Sequence, residues 1–367
     1  MAQFYDREQE EQELHIILED EPSLVYFVYG PMNSGKTSLL VRVLNSLPKD
    51  MVPFYINFRG RDLSSTGEFL NCLFKIDKRS LLDSVKEYMR GLTGEGADVI
   101  TKLTGIPIPK GIFDPIFKEK DKGDDAFVYL EEFFQGLVVT GQRPVFVLDE
   151  LQMVKKVANA AGRPLLDKLF NFMVRMTKET HLCHSLAVTS DSLFIEQISG
   201  NARLEGRSRC FLVDDLDRDR ALHVYDQFGF RDKQLIWSHI GGKIGDMVRL
   251  KVELRLGLSE KDALKQMLGE TTSRLEDILE EARDGFLQME HRGKDIPLDI
   301  EKIMETLAML IPEGSVKKGK TSAIYRKFLI EENVLFQEPV RGMLYPQGQL
   351  VRLAIEELTK LPSSTGH

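Results

Sequence analysis

The segment GPMNSGKT, from Gly30 to Thr37, carries the clearest sign of chemistry, because it matches the pattern G-x-x-x-x-G-K-[ST] at every fixed position. An apolar run precedes it and a helical pattern follows it, as this pattern requires. The two glycines let the backbone turn closely enough for its N–H groups to face phosphate oxygens, and the start of a helix adds partial positive charge. We therefore predict a nucleoside triphosphate site here and call Gly30–Thr37 the phosphate loop.

The residues of the phosphate loop have predicted roles. Lys36 is expected to reach the β- and γ-phosphates and to act in catalysis, and the Thr37 hydroxyl is expected to ligate Mg²⁺. The predicted nucleotide contacts are Gly30, Pro31, Met32, Asn33, Ser34, Gly35, Lys36, Thr37 and the adjacent Ser38.

The segment VFVLDELQ, residues 145 to 152, places two carboxylates side by side where an apolar run ends. Beside a phosphate loop, Asp149 is expected to hold Mg²⁺ through water, and Glu150 is expected to orient or deprotonate the attacking water. Alternatively, Glu150 is an acid in the first turn of a helix, where the helix dipole favours it. Gln152 either senses the same water or is a surface glutamine. The acidic pair predicts slow ATP hydrolysis.

Two further groups are candidates for contact with the triphosphate. Ser190 ends another apolar run and could report on the γ-phosphate, although a strand-to-helix cap explains Ser190 or Asp191 equally well. Arg203, Arg207 and Arg209 precede a fifth apolar run, and one of them could enter a neighbouring subunit's site as an arginine finger. The alternative is that these arginines are solvated surface residues.

The elements around these residues predict an α/β fold. Near-continuous apolar runs are typical of strands buried on both faces of a parallel sheet, and helical patterns alternate with them. The apolar runs are 23–30, 52–58, 144–149, 184–190 and 209–216, and the helical patterns include 7–20, 37–47 and 164–179. Residues 60–125 are irregular and are expected to be an insertion between the second and third strands.

After residue 215 the alternation stops and helical patterns dominate. We predict a P-loop ATPase domain over 1–215, a helical lid over 216–270, a winged-helix-like domain over 271–362 and a disordered tail over 363–367. The predicted winged helix rests on helices at 272–290, 298–310 and 320–331, a hairpin at 334–348 and a last helix at 349–360.

A basic cluster within the last predicted domain raises the possibility of DNA contact through Lys317, Lys318, Lys320, Arg326 and Lys327. Thr321 is expected to cap a helix that turns Phe328 inward and Arg326 and Lys327 outward. However, residues 271–367 hold 13 lysines and arginines against 16 acidic residues, a net charge of −3. A protein-contact or autoinhibitory module is the alternative.

Composition narrows the class of protein. The 367 residues carry a net charge of −8, which argues against a protein that coats nucleic acid. Three widely spaced cysteines fit reduced thiols, and no apolar run approaches the ~18 to 20 residues that span a bilayer. The acidic first 20 residues lack the basic start and apolar stretch of a signal peptide. We expect a cytoplasmic protein without membrane contact.

With these residues placed, the chain resembles the archaeal ATPase family, within the STAND class of signal-transducing P-loop ATPases related to AAA+ proteins. FYDREQEEQEL (4–14) is similar to the opening segment of the family, VFVLDELQ to its acidic strand, and ARLEGRSRC (202–210) to its Leu-x-Gly-Arg segment. The resemblance implies ATP or ADP with Mg²⁺ as cofactors and a P-loop NTPase sheet. It also implies that Arg7 lies on the adenine side of the nucleotide and that Arg207 is the arginine finger.

The predicted lid departs from the family pattern. GGKIGDM (241–247) keeps Gly241 and Gly242 but has Ile244 where the Gly-Gly-x-Pro pattern of the family has proline. Arg249 is similar to the lid arginine of archaeal replication-initiator ATPases, one residue later than in their pattern, and is a candidate nucleotide contact. The alternative is a charged, exposed face of a lid helix.

Two functions from different classes fit these features. The preferred one is an ATP-dependent molecular switch that controls domain arrangement and partner contacts, with self-association through Arg207 as one possible contact. The other is a DNA-binding initiator or mobile-element replication protein that uses ATP to remodel DNA. A small-molecule kinase is disfavoured because the sequence indicates no second substrate pocket.

Overall fold

The computed structural model describes residues 6–61, 63–77, 105–109, 123–157, 165–199, 204–291 and 294–360. The chain forms two compact units. The first contains Met1–Tyr29, Lys36–Ser190 and Gln197–Leu212, and the second contains Gly30–Gly35, Asp191–Glu196 and Val213–His367.

A five-stranded parallel sheet forms the centre of the first unit. The strands described in this unit are β1 (Val25–Tyr29), β2 (Met51–Asn57), β3 (Phe74–Asp77), β4 (Ile106–Pro109), β5 (Arg143–Asp149), β6 (His184–Thr189) and β7 (Ser208–Leu212). The large sheet has the order β2-β5-β6-β1-β7, and β3 pairs separately with β4. All residues of β6, and all but the first of β5, are buried. The apolar runs of β5 and β6 form strands because both faces of these strands are covered.

Helices supply the cover. The first six are α1 (Glu8–Glu19), α2 (Lys36–Asn45), α3 (Thr66–Leu73), α4 (Gly123–Val139), α5 (Leu165–Val174) and α6 (Ser192–Ser199). A 3₁₀ helix covers Leu151–Lys156 and a π-helical turn covers Arg175–Glu179. Aromatic rings join α4 to the sheet, with the Phe134 ring 5.4 Å from that of Phe54 on β2 and 5.9 Å from that of Phe146 on β5.

The register of the sheet sets the position of polar residues at one edge. Asn57 lies opposite Asp149, and Asp149 lies opposite Val188. Tyr29 at the end of β1 lies opposite Thr189 at the end of β6. In a parallel sheet these carboxyl ends share one edge, which is where ligands bind in open α/β folds.

The second unit is mainly helical. Its further helices are α7 (Arg218–Phe228), α8 (Lys233–Ile240), α9 (Ile244–Arg255), α10 (Glu260–Arg283), α11 (Ile300–Ala308), α12 (Ala323–Glu331) and α13 (Gln349–Lys360). Its strands are β8 (Gln288–His291), β9 (Lys294–Pro297), β10 (Val316–Lys317), β11 (Leu335–Glu338) and β12 (Met343–Pro346). β8 pairs with β9, and β10, β12 and β11 form an antiparallel sheet in that order. An apolar cluster joins α10 to α13 with residues such as Leu279, Leu307, Phe328 and Ile355.

The predicted fold class is confirmed, since the five apolar runs are the five strands of a parallel sheet. The predicted hairpin is β11 and β12, and the predicted last helix is α13. The winged-helix assignment and the domain boundaries stay predictions. Most of the predicted insertion, at 62, 78–104 and 110–122, lies outside the described residues, as do Arg203 and the tail.

Two local predictions were wrong. A helix was predicted over 272–290, but α10 begins at Glu260 and ends at Arg283, and residues from Gln288 form β8. The caps explain the start, because the Ser259 side chain accepts a hydrogen bond from the Asp262 N–H. Thr321 was predicted to cap the helix that is α12, but Ser322 occupies the N-cap position. The Thr321 hydroxyl instead donates to the carbonyl of Lys318.

Across the residue ranges given above, no helix combines the length and the apolar character needed to cross a bilayer.

Candidate functional site

The phosphate loop connects β1 to α2, which begins at Lys36. Two positions in it require glycine. A Cβ on Gly30 would lie 2.0 Å from the carbonyl oxygen of Val213, and Gly35 has a φ of +95°, which L side chains rarely adopt. Asn33 also has a positive φ, +60°. The loop therefore has the tight turn that the sequence predicted, and the side chains of Ser34 and Lys36 are buried.

Asp149, at the end of β5, is the centre of a hydrogen-bond cluster within the first unit. Its Oδ2 accepts from the Thr37 hydroxyl at 3.0 Å, from the Tyr55 hydroxyl at 2.6 Å and from the Asn57 amide at 3.4 Å. Its Oδ1 accepts from the backbone N–H of Glu150 at 2.9 Å. The two predicted Mg²⁺ ligands, Thr37 and Asp149, are thus in direct contact.

The burial of Asp149 affects its titration. Only 2% of its surface is exposed, and burial raises the pKa of its carboxyl, although the hydrogen bonds from Tyr55 and Thr37 oppose the shift. Burial and the neighbouring Asp149 carboxylate together raise the pKa of Tyr55. Tyr55 therefore stays protonated and donates its hydrogen bond to Asp149.

The donor set fits a magnesium ion. Mg²⁺ prefers oxygen ligands and is usually held by one or two protein groups together with phosphate oxygens and water. Among the described residues there is no group of three or more His, Cys, Asp or Glu side chains that could hold a metal alone. Thr37 and Asp149 supply one hydroxyl and one carboxylate, which suits an ion shared with a triphosphate.

Glu150 is held by side chains rather than by backbone. It has a φ of +59° and occupies the N-cap position of the 3₁₀ helix, but its side chain makes no cap hydrogen bond. Its Oε1 accepts from Arg59 Nε at 3.0 Å, and the Arg59 Nη2 also donates to it. Its Oε2 accepts from Gln152 Nε2 at 2.6 Å. The side chain therefore does not act as a helix cap here.

Gln152 is not a free surface residue. Its Oε1 accepts from the Thr189 hydroxyl at 2.7 Å, while its Nε2 faces the Glu150 carboxylate. This orientation of the amide follows from its neighbours, because a carboxylate can only accept and needs the NH₂ group. The chain Arg59, Glu150, Gln152 and Thr189 connects the ends of β5 and β6.

Sequence reasoning missed Tyr55, Asn57 and Arg59. A signal was present, because Tyr55 and Asn57 are polar residues at the end of the apolar run that is β2. The neighbour order β2-β5 was needed to use it, and the sequence did not specify that order.

After the end of β6, the cap interpretation holds for Asp191. The Asp191 carboxylate accepts from the backbone N–H of Phe194 at 3.0 Å, so Asp191 caps α6. Ser190 is half-buried, and its contact with a γ-phosphate stays a prediction.

Comparison with known proteins identifies the family. Residues 4–250 match the model of a family described as an ATPase domain predominantly from Archaea. The chain belongs to this archaeal ATPase family. Residues 261–359 match the C-terminal domain of MJ1010-like uncharacterized ATP-binding proteins.

Relatives in the archaeal ATPase family extend over nearly the whole chain. Two from Methanocaldococcus jannaschii, each named an uncharacterized ATP-binding protein, are 38% identical to this chain. The matches cover 97% of this chain and 99% and 97% of the relatives. A solved structure of a Walker-type ATPase of Pyrococcus abyssi has a TM-score of 0.60 at 15% identity, covers 96% of both chains and supports the fold.

Arg7, predicted from the archaeal ATPase family to face adenine, precedes α1 and is 2% exposed. Its guanidinium donates to Glu10 at 2.7 Å. Contact with a base stays a prediction, and the ion pair fixes the position of the guanidinium.

Arg207, the predicted arginine finger of the archaeal ATPase family, lies in an exposed turn before β7. Its carbonyl accepts from the N–H of Val25, the first residue of β1. The residue therefore lies at the amino edge of the sheet, separated from the carboxyl edge by the length of a five-residue strand, about 16 Å. This position does not suit a contact with the Asp149 of its own chain.

Arg249 lies on α9 and forms an ion pair with Glu270 on α10. The predicted nucleotide contact would require this pair to open. The family proline position, Ile244, is the first residue of α9, where proline is common because the N–H there has no partner within the helix. Isoleucine can occupy that position without loss of a helical hydrogen bond.

The predicted basic surface is partly engaged within the second unit. Lys318 forms an ion pair with Glu196 at 2.6 Å, and Arg326, predicted to point outward, is half-buried and donates to the carbonyl of Lys318 at 2.9 Å. The outward prediction for Arg326 was wrong, because the guanidinium folds back onto the turn before α12. Lys317, Lys320 and Lys327 remain the exposed or half-exposed members of the cluster.

Proposed function

We propose that the protein binds ATP with Mg²⁺ and hydrolyses it slowly. The observation that carries the proposal is the contact of 3.0 Å between the Thr37 hydroxyl and Asp149, with the Glu150 carboxylate on the adjoining residue. Thr37 and Asp149 would supply the ligands for a metal ion, and Glu150 beside them would supply a base. Membership in a family of ATPase domains agrees with that chemistry.

The roles of the side chains follow from their chemistry. The loop amides and the Lys36 ammonium would bind the β- and γ-phosphates, and Asp149 and Thr37 would hold Mg²⁺. When bound, Mg²⁺ would offset the negative charge on the β- and γ-phosphate oxygens. Glu150 would orient a water in line with the γ-phosphate and accept its proton. In the structure this carboxylate is bonded to Arg59 and Gln152, so Glu150 would have to exchange one of these bonds for the water.

Turnover and binding test the proposal together. Glu150→Gln keeps the size of the side chain but removes the base, so we expect Mg²⁺-dependent ATP turnover to fall at least ~100-fold while calorimetry still detects ATP. Lys36→Ala should lose ATP binding. Glu131→Gln is the matched control, because Glu131 also pairs with an arginine, Arg175, on a different part of the unit. Equal turnover in Glu150→Gln and the wild type would remove Glu150 from the mechanism.

The finer role that we propose is a molecular switch of the STAND class, in which the nucleotide state sets domain arrangement and partner contacts. Its support is the direct contact of the start of α9 with the phosphate loop, where the Gly245 N–H donates to the Asn33 carbonyl at 3.2 Å. Small-angle scattering of the full chain without nucleotide, with ADP and with a non-hydrolysable ATP analogue tests it. Identical scattering in the three states would exclude the switch and leave the ATPase intact.

Self-association through Arg207 is part of the proposed switch. Because Arg207 lies at the amino edge of the sheet, it could complete the site of a second copy. A mixture of Arg207→Ala and Lys36→Ala chains should regain turnover, since the intact nucleotide site of the first would receive the intact arginine of the second. The contact would be contradicted if the ATP turnover of the mixture did not exceed that of the separate variants and if sedimentation showed the wild type to be a monomer.

DNA contact through the basic cluster is the alternative output. The ion pair of Lys318 with Glu196 and the inward Arg326 reduce the cations available for phosphates, and we therefore favour protein contacts. Retention on duplex DNA that weakens steeply with salt and is lost in a Lys317→Ala, Lys320→Ala, Lys327→Ala triple variant would instead support the initiator role.

A further inference from the structure

Lys243 is a buried cation that the proposed mechanism does not use. It occupies the N-cap position of α9, and only 6% of its surface is exposed. A buried ammonium must find acceptors for its N–H groups, because a buried charge without hydrogen-bond partners is strongly unfavourable. The hydrogen-bond partners of Lys243 therefore show which part of the protein its ammonium holds in position.

Those partners include the phosphate loop. The Lys243 Nζ donates to the backbone carbonyl of Met32 at 3.0 Å, and it pairs with the Asp215 carboxylate at 3.1 Å. Two residues further on, the Gly245 N–H donates to the Asn33 carbonyl. The segment before and at the start of α9 thus holds two consecutive carbonyls of the loop.

The orientation of a carbonyl fixes the amide that follows it. In a trans peptide the C=O of one residue and the N–H of the next point in opposite directions. With the Met32 carbonyl turned toward Lys243, the Asn33 N–H is turned to the other side of the loop. A phosphate loop works by directing its N–H groups at the phosphates, so a bond to the carbonyl sets the direction of one of those donors.

The segment from Gly242 to Gly245 packs closely against its neighbours. A Cβ on Gly245 would lie 2.6 Å from the Cβ of Asn33, and a Cβ on Gly242 would lie 1.7 Å from the carbonyl oxygen of Leu216. Only glycines allow these approaches. Ile244, which stands where the family has proline, directly follows Lys243. Lys243 makes its own contact with the loop.

The aliphatic stem of Lys243 packs against a residue far along the chain. A Cβ on Gly348, just before α13, would lie 2.4 Å from the Cε of Lys243. The φ of Gly348 is not in the left-handed region, so alanine can adopt its backbone. The added methyl group would force the end of the lysine to shift, and with it the ammonium.

We propose that Lys243 is a positioning residue for nucleotide binding, which holds the Met32 carbonyl so that the Asn33 N–H faces the phosphates, and that Gly348 keeps it there. The proposal rests on the proposed ATP site and adds a contact between that site and the segment that leads into α13. The Asn33 N–H that Lys243 positions belongs to the phosphate loop and does not serve the γ-phosphate alone. The affinities for ATP and for ADP should therefore depend on Lys243 equally.

Nucleotide affinity of the full chain tests the proposal. Calorimetry with Mg²⁺ should give a Kd raised by about tenfold in Lys243→Met, by the same factor for ATP and ADP, because a hydrogen bond from a charged donor is lost. Lys251→Met is the matched control, since Lys251 on α9 lies over the ring of Phe228 instead. Asp215→Asn removes the ion pair but keeps the bond to Met32, and it should raise both Kd values by less than threefold.

A double-mutant cycle tests the contribution of Gly348 and covers the case in which Lys243→Met does not fold. Gly348→Ala should raise both Kd values about threefold or more, and it should have no further effect when Lys243→Met is present. Gly269→Ala, where an added Cβ meets no described atom within 4 Å, should change neither.

The outcomes separate this inference from the proposed function. If the wild type binds neither nucleotide, the proposed function fails and the inference with it. If the wild type binds and Lys243→Met binds equally well, the inference alone is wrong. A loss for ATP without a loss for ADP would also overturn it, because that result indicates a contact with the γ-phosphate. An effect of Gly348→Ala that adds fully to that of Lys243→Met would remove Gly348 from the proposal.

Discussion

At the scale of single residues, Tyr55 is a hydrogen-bond partner of Asp149, the proposed Mg²⁺ ligand, that the sequence did not indicate. Its hydroxyl bonds to Asp149 Oδ2 at 2.6 Å, the same oxygen that Thr37 contacts. Groups that orient a metal ligand commonly change metal affinity by about 10- to 100-fold when removed. Tyr55 therefore belongs to the site although it would not touch the nucleotide.

Tyr55→Phe should raise the Mg²⁺ concentration for half-maximal ATP turnover by about tenfold, because the Asp149 carboxylate loses the bond that orients it. A magnesium titration at saturating ATP measures this. Tyr26→Phe on β1 is the control and should leave the titration unchanged. An unaltered magnesium requirement in Tyr55→Phe would show that Thr37 and Asn57 suffice to orient the carboxylate.

Arg59 restrains the proposed base. Its guanidinium pairs with Glu150, and the same pairing raises the pKa of the Arg59 side chain, so it remains a cation near that carboxylate. A carboxylate held in an ion pair is not free to contact a water molecule. The pair must open or rearrange before Glu150 can accept a proton.

Arg59→Ala should therefore raise kcat several-fold with little change in KM. Steady-state kinetics measure both constants, and Arg61→Ala serves as a nearby control. A fall in kcat would indicate instead that the Arg59 guanidinium contacts the phosphates during turnover.

Asp246 gives a prediction about pH. Burial raises the pKa of its carboxyl to about 6, with the Lys243 cation opposing the shift and Asp215 adding to it. A carboxyl with a raised pKa stabilises the fold when protonated, so that this contribution is complete below pH 3.8 and is lost as the pH rises through about 6.

Asp246→Asn should remove that pH dependence. Relative to wild type, its free energy of unfolding should rise between pH 4 and 7 by between about 1 and 3 kcal/mol, since one pKa unit corresponds to ~1.4 kcal/mol. Urea unfolding at several pH values measures the difference. Parallel curves for the two proteins would show that the carboxyl titrates normally.

At the scale of elements, the strands were predictable because burial on both faces leaves a continuous apolar run, as in β5 and β6. The phosphate loop was predictable because its glycines and lysine are fixed by phosphate geometry. The order of the strands was not, since β2 and β5 are far apart in the chain and only tertiary packing brings Tyr55 to Asp149. The start of α10 was missed because its charged first turn, from Glu260, lacks a continuous apolar pattern.

Helix α6 begins in the second unit and ends in the first. Its first residues, up to Glu196, belong to the second unit, where Leu193 lies in the apolar cluster with Phe328 and Ser192 accepts from the N–H of Gln337 on β11. The chain leaves the end of β6 only two residues before this helix starts.

Leu193→Ala should lower the free energy of unfolding by about 2 to 3 kcal/mol, because it removes a buried side chain and leaves a cavity. Val139→Ala is the control, since Val139 is 87% exposed and its loss should cost less than ~0.5 kcal/mol. Denaturant unfolding measures both. A small effect of Leu193→Ala would mean that the cluster closes around the gap.

At the scale of the whole molecule, nucleotide binding should stabilise the folded chain. A ligand at 100 times its Kd adds about 2.7 kcal/mol to the free energy of unfolding when it binds only the folded state. We expect ATP with Mg²⁺ to raise the melting temperature of the wild type and to leave that of Lys36→Ala unchanged. Scanning calorimetry measures both. An equal shift in the two proteins would indicate nucleotide binding outside the phosphate loop.

The length of α10 has a practical consequence for work with shortened forms of the protein. The helix has 24 residues, about 36 Å, and buries Ala263 and Met267 near its start as well as Leu275 and Leu279 further on. A recombinant fragment starting at residue 271 would cut this helix in two and remove its Ser259 cap. It would also expose to solvent the apolar side chains that the helix buries. Fragments intended for crystallisation or partner pull-downs should begin at or before Ser259.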